Sequence, residues 1–412
     1  MENLQVNWKR NLFFVWISQF LALAGFGCCM PFIPLLLKDN LGIVDDNVRG
    51  LYVAIYQFAS MLSLCVGTSV WGILADKFGR KLMLLRASYC AAFLYPLLVF
   101  APNFATLVII RFVVSFFSGT VNPAQTLLVS NTPEEKHGFV LGTLSTSVWS
   151  GNMTGYLLGG FIAEFFGYTA AFLTCGGMYL SSAVLIQFFV KEQFVKPVKT
   201  ENVSRKKNPE HSFRKLATPA VVWILILFFV MGIARRIDEP FIAMMVETVN
   251  GAKRAAFYTG VASASAALGG VISGVWIGNL CDKYSVYKLI PTILIFSTAA
   301  MAAHALSMNI AMLIITRFLV FFAAGGIQPI FQVMLSRVTA PELRGSYFGF
   351  SAGVNQFGGL VCAACSGAVA YFMNVRGIFL TSALFYFLMI PLVIPAIRLC
   401  RKEEVKFHKP ES

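Results

Sequence analysis

Apolar blocks long enough to cross a bilayer recur along almost the whole chain, a pattern that a water-soluble core cannot absorb. The first, from Asn11 to Leu37, contains no charged residue. A bilayer core of roughly 30 Å needs about 20 apolar residues at 1.5 Å rise per residue. Blocks of that kind are centred near residues 24, 62, 92, 115, 150, 180, 232, 267, 298, 323, 358 and 387. The expected architecture is an all-α membrane protein with twelve transmembrane helices. Composition agrees: 57% of residues are hydrophobic and 13% charged, where a soluble domain carries about 25% charged residues. The first block far exceeds a signal-peptide core of about 7–15 residues, so it reads as the first span.

The net charge of +14 is distributed by side rather than gathered into a nucleic-acid surface. Of the 33 lysines and arginines, 24 fall in the tails and alternate loops of one side, five in the opposite loops, and four within spans. That bias places both termini in the cytoplasm and gives the basic loops a role against anionic lipid. The one long polar segment, containing Lys196, Lys199, Arg205, Lys206, Lys207 and Pro209, has too few apolar residues to build a core. It reads as a linker. The expected organisation is a six-helix half over 1–190, a cytoplasmic linker over 191–217, a second six-helix half over 218–398 and a cytoplasmic tail over 399–412. The nine cysteines fall mostly inside apolar blocks, and the four histidines are scattered. No metal site, cofactor or nucleophile–base set is read from them, so an enzyme is not expected.

The two halves repeat. Gly72-Ile73-Leu74-Ala75-Asp76-Lys77-Phe78-Gly79-Arg80-Lys81 returns as Gly278-Asn279-Leu280-Cys281-Asp282-Lys283-Tyr284-Ser285, 206 residues later. At the same offset Arg111-Phe112 matches Arg317-Phe318, Gly119 matches Gly325 and Pro123 matches Pro329. A Gly–Asp–basic turn repeated at half the chain length resembles the signature loop of the major facilitator superfamily of transporters, G-x-L-A-D-[RK]-x-G-[RK]-[RK]. The first copy matches it at every defined position. The resemblance implies the major facilitator fold, two six-helix halves related as a repeat, with a substrate site near the midplane between them. It also implies that Gly72, Asp76, Lys77, Gly79, Arg80 and Lys81 form a conformational latch, with a weaker counterpart at Asp282. Physically, Asp76 beside three basic residues can form charge-assisted hydrogen bonds, and the glycines permit close helix approach and a tight turn. A turn that only fixes topology is the alternative.

Three spans carry candidate site residues. In span 4, Arg111, Ser115, Ser118, Asn122 and Gln125 fall on one face if the helix is continuous at 100° per residue; such a stripe should avoid lipid. Arg111 stands where drug–proton antiporters of the superfamily carry a membrane-embedded arginine, and a purely structural arginine is the alternative. Its repeat partner Arg317 has a thinner stripe, mainly Gln328. Span 5 carries Gly142, Gly151, Gly155, Gly159 and Gly160, which resemble the antiporter motif G-x8-G-x3-G-P-x2-G-G with Tyr156 in place of the proline. Span 7 contains Arg235, Arg236, Asp238 and Glu239, spaced so that i,i+3 and i,i+4 pairing within the helix is easy, followed by Pro240, which should bend the span. Charges at membrane depth mark a functional site by default. The alternative is that the span ends near Ala234 and the charges lie at the outer surface.

Among superfamily members the chain is most similar to the bacterial multidrug efflux drug–proton antiporters. The resemblance implies alternating access driven by protons, with small lipophilic or drug-like substrates, in a monomer within the cell membrane. Asp238 or Glu239, the acidic residues well inside spans, are the candidate proton carriers. Uptake or exchange of a small organic anion is the rival within transport, since four intramembrane arginines suit carboxylate or phosphate. A non-transporting receptor or scaffold is the rival of another class.

Overall fold

The computed structural model describes residues 7–192, 218–339 and 344–407, and leaves out some side chains within them, those of Asp76 and Asp282 included. Most of the expected linker and the end of the tail therefore lie outside the described residues. Span 1 is α1 (Trp8–Cys29) and α2 (Ile33–Asp39), joined by the 3-10 turn Met30–Phe32. Span 2 is α3 (Asp46–Phe78), span 3 is α4 (Arg80–Leu97), and span 4 is α5 (Phe104–Phe117) with α6 (Val121–Ser130). Spans 5 and 6 share α7 (His137–Phe189), which leaves helical geometry at Gly167, φ 81°. Span 7 is α8 (Pro219–Ala234) and α9 (Ile242–Asn250), separated by the 3-10 turn Glu239–Phe241. Spans 8 to 10 are α10 (Ala255–Lys283), α11 (Val286–Ala305), and α12 (Ile310–Ala324) with α13 (Ile327–Arg337). Spans 11 and 12 share α14 (Arg344–Phe407), which breaks at Asn374, φ 58°. Ten apolar helical segments long enough to cross a membrane are present among the described residues, and two of them, of 53 and 57 residues, are double crossings. Twelve crossings result.

The repeat is visible in contacts as well as in sequence. Asn103 Oδ1 caps span 4 by accepting from Thr106 N at 2.9 Å, and Asn309 Oδ1 caps span 10 by accepting from Met312 N at 2.8 Å. Span 5 lies against span 1 through a ladder of glycines. A Cβ at Gly151 would meet Phe20 O at 2.6 Å, at Gly155 Ala24 O at 2.2 Å, and at Gly159 the Cα of Cys28 at 2.5 Å. Spacing of four residues on both helices lets the backbones touch, the contact that small residues permit where no hydrophobic driving force exists. Spans 11 and 7 pack in the same way, with Gly358 against Phe229 O at 2.3 Å and Gly232 against Asn355 O at 2.2 Å.

The halves meet unevenly. At the end away from the termini, a Cβ on Gly50 of span 2 would lie 2.7 Å from Ala370 of span 11. A Cβ on Gly160 of span 5 would lie 2.9 Å from Ala256 O of span 8. An ion cluster closes the same end: Lys38 Nζ lies 2.6 Å from Glu247 Oε1, and Arg49 Nη1 lies 2.7 Å from Glu247 Oε2, joining spans 1 and 2 to span 7. At the end that carries the termini, a Cβ on Gly72, Gly142, Gly274, Gly349 or Gly353 would meet nothing within 4 Å. The contacts that join the halves through Gly50, Gly160 and Glu247 lie at the end away from the termini.

Candidate functional site

Four spans open close to a proline, whereas Pro96, Pro291, Pro391 and Pro395 lie within helices. Pro31 cannot donate to the span 1 ladder, and Pro240 cannot donate to that of span 7; the α-helices end ahead of them, at Cys29 and Ala234, and each proline lies in a 3-10 turn. After Ala234 the chain makes a turn: Arg236 N donates to Ile233 O at 3.1 Å instead of reaching a full helical turn back. Ser382 Oγ, from span 12, donates to the freed carbonyl of Ala234 at 2.8 Å. In span 4 the break falls at Ser118, Gly119 (φ 106°) and Thr120, just ahead of Pro123. Span 10 opens at Gly325 and Gly326, ahead of Pro329.

These openings surround a cavity of about 540 Å³ at the seam of the halves, a volume suited to a drug-sized molecule. Spans 1, 2, 4 and 5 of the first half and 7, 8, 10 and 11 of the second contribute to its wall. Arg111, Ser115 and Ser118 face it, as do Arg235, Arg236, Glu239, Arg317 and Gln328. Asn122 and Gln125 do not. The continuous stripe expected in span 4 is cut by the break at Ser118, which ends the 100° phase, and leaves Asn122 on the separate α6, exposed and away from the cavity. Ser115 Oγ instead sits 3.0 Å from Ser60 Oγ of span 2.

The charges of span 7 lie inside the broken span and not beyond its end, since helix resumes through Asn250. They pair differently from the helical expectation. Residues 235–238 are not helical, so the i,i+4 neighbours do not exist there. Asp238, 1% exposed, forms its ion pair with Arg317 of span 10, 2% exposed. Arg235 Nη1 donates to Gln328 Oε1 at 3.4 Å, and Arg236 Nη1 donates to the carbonyl of Asn355 at 3.3 Å. Asn355 in turn donates to Phe228 O at 3.0 Å, which ties span 11 to span 7. Glu239 is exposed to the cavity and takes part in none of the ion pairs among the described residues. Arg111 is 5% exposed, and its Nε and Nη1 have no hydrogen-bond partner. Its guanidinium lies 5.1 Å from the Tyr56 ring centre and 5.9 Å from that of Tyr95.

The signature loop is described in part. Gly79 takes φ 97° between spans 2 and 3, the tight turn that glycine permits. No element comes near Gly72, so the close approach expected there is not made in this conformation. Lys77 is exposed. The backbone N–H groups of Arg80 and Lys81 donate to the two carboxylate oxygens of Glu192 at 2.9 and 2.8 Å, and Lys81 Nζ donates to Gln187 O at 3.0 Å. Sequence reading missed Glu192. Its position beside the polar segment gave no sign that an acidic residue would sit on the N-terminus of α4, where the helix dipole favours it. Lys38 and Arg49 are two of the five basic residues in the opposite loops, where the sequence gives them no partner, yet with Glu247 they join the halves. Of the span 5 glycines, Gly151, Gly155 and Gly159 pack on span 1, and Gly160 faces span 8 of the other half.

A twelve-helix bundle in two repeat halves, with a largely apolar cavity carrying a few charged groups at their seam, is the architecture of a secondary transporter. The family model described as Major Facilitator Superfamily matches residues 15–307 and again 240–411, and the chain belongs to that family. It is 31% identical to the multi-drug resistance efflux pump PmrA homolog of Lactococcus lactis, over 92% of this chain and 93% of that one. It is 30% identical to the multi-drug resistance efflux pump PmrA of Streptococcus pneumoniae, over 92% and 94%. Among solved structures, a mutant of the nucleoside transporter NupG superposes with TM-score 0.74 at 13% identity, over 94% of this chain and 99% of that one. The protein is a multi-pass membrane transporter.

Proposed function

We propose that this transporter exports small lipophilic or drug-like compounds in exchange for protons, by rocking its two halves about the cavity. The observation that carries the reading is Glu239: a carboxylate exposed to the central cavity, within a broken span, that takes part in none of the ion pairs among the described residues. A coupling group must exchange its proton with whichever side the cavity faces, and an exposed, unpaired carboxylate meets that need. Asp238, engaged by Arg317, serves to hold span 7 against span 10. The naming of the relatives as multidrug efflux pumps supports export. In this reading both termini and the 191–217 linker are cytoplasmic, the halves span 1–190 and 218–398, the tail is 399–412, and the end that carries the termini opens to the cytoplasm. The chain works as a monomer among membrane lipids, with the Asp76 loop and its Asp282 counterpart closing the cytoplasmic end in the alternate state.

The test is a dye and metabolite screen in proteoliposomes with an imposed pH gradient, repeated with Glu239→Gln. The amide mimics the protonated acid but cannot release a proton. Gradient-driven accumulation should vanish, while exchange at equal pH persists in part. Accumulation by Glu239→Gln equal to wild type would remove Glu239 from the coupling step.

A further inference from the structure

We infer that the molecules this cavity accepts are zwitterionic amphiphiles, with an anionic group seated at Arg111 and a cationic group seated at Glu239. This rests on the export reading above and narrows its substrate class.

The repeat supplies the first argument. Arg111 and Arg317 are equivalent positions, 206 residues apart, and both are buried at the cavity wall. Arg317 has its counter-ion in Asp238 of the same half. The stretch of span 1 aligned with the span 7 charges is Gly27-Cys28-Cys29-Met30, and Arg111 takes part in none of the ion pairs among the described residues. The Tyr56 and Tyr95 rings lie 5.1 and 5.9 Å from the guanidinium, Tyr95 also in hydrogen-bond contact with it, and its Nε and Nη1 have no hydrogen-bond partner among the described residues. Keeping a cation out of water without an anion costs more than ring contacts return. The fold provides the anion for one arginine of the pair and leaves the other to a ligand.

Charge across the seam supplies the second. The charged residues in the described wall are Arg111, Arg235, Arg236, Arg317 and Glu239. With Arg317 neutralised by Asp238, the wall is positive whether or not Glu239 is protonated. A lone lipophilic cation would enter against that field, so an anionic group on the ligand is favoured.

Coupling supplies the third. A ligand bearing only an anion would bind more tightly once Glu239 takes up a proton, so ligand and proton would travel together. Exchange requires that one exclude the other. A cationic group on the carboxylate of Glu239 does so, because it binds the ionised form and displaces the proton into solution. Arg111 lies on the first half and Glu239 on the second, so one such molecule would bridge the two halves. Tyr56, Tyr95, Trp149 and Tyr156 line the same space and suit an aromatic body between the charges.

Three dyes of similar xanthene body separate the charges: rhodamine B, which carries both, its ethyl ester, which keeps only the cation, and fluorescein, which keeps only anionic groups. Binding to the purified full-length protein is read by fluorescence polarisation, and proton release in weak buffer by a pH electrode. Rhodamine B should bind at least about tenfold more tightly than its ester, a difference of about 1.4 kcal/mol. It should also release protons on binding, whereas fluorescein should not. Arg111→Gln should close the gap between acid and ester, and Glu239→Gln should abolish proton release. If either variant fails to fold, the wild-type comparisons decide alone. An ester that binds as tightly as rhodamine B overturns the anion seat; fluorescein binding as tightly overturns the cation seat. Failure of all three to bind overturns the proposal. None of these outcomes bears on whether the pH-gradient screen finds export, so the two readings can fail separately.

Discussion

Glu247→Gln should unlock the closed end of the transporter. Glu247, with a side chain 8% exposed, is the only acidic contact from the second half to Lys38 and Arg49 among the described ion pairs. Removing one partner of a fully buried pair costs about 3–5 kcal/mol, because the other charge is left uncompensated. The cost here is smaller for two reasons. Lys38 is 28% exposed and can hydrate, and Arg49 keeps Asp46 at 2.5 Å. The contact of Arg49 Nη1 with Glu247 is also a charge contact without hydrogen-bond alignment. A destabilisation of about 2 kcal/mol follows, or about 30-fold in the equilibrium between closed and open forms of this end. The assay is a pulsed spin–spin distance measurement between labels at Val44 and Lys253, both exposed, in a background without native cysteines. Wild type should give mainly one short distance, and Glu247→Gln should raise the ratio of a longer to the short population about 30-fold. Asp46→Asn is the control: Asp46 is 55% exposed, so its loss should cost under about 0.5 kcal/mol and leave the distribution unchanged. An unaltered distribution in Glu247→Gln would refute the idea that these charges hold the halves together.

Other perturbations test the remaining contacts. Asp238→Asn should lower thermal stability in detergent strongly, by about 3–5 kcal/mol, because it strands Arg317 in the interior; the double change Asp238→Leu with Arg317→Met should recover most of the loss, and failure to recover would mean the pair has a role beyond mutual neutralisation. Gly155→Ala places a Cβ 2.2 Å from Ala24 O and should cost about 1–3 kcal/mol by overpacking, read as a lower melting temperature; the same change at Gly142, where nothing lies within 4 Å, should be silent. Cysteines at Ser204 and Ser412 should react only with reagent that reaches the cytoplasm, and one at Asp45 only from outside; the reverse pattern would invert the topology.

The sequence alone determined the number of spans, the half-chain repeat and the bend in span 7. Each of these is written locally: span length is set by bilayer thickness, and Pro240 removes a hydrogen bond from its helix wherever that helix packs. Arg111, Arg235, Arg236, Glu239 and Arg317 could be singled out for the same reason, since a charge in an apolar block is conspicuous without any structure. What each charge faces was not legible. Helical spacing placed Asp238 beside Arg235 and Asn122 beside Arg111, yet the breaks at Arg235 and Ser118 end the helical phase on which both inferences depend. Asp238 finds Arg317 79 residues away, and Lys38 finds Glu247 209 residues away. Those partners are chosen by which spans come into register. Register is set by backbone contacts such as Gly155 on Ala24 and Gly232 on Asn355, together with the way one half lies against the other. A pattern of single residues can announce that a buried charge needs a partner, but only the packing of helices decides that, among the described residues, Arg317 has an ion-pair partner and Arg111 does not.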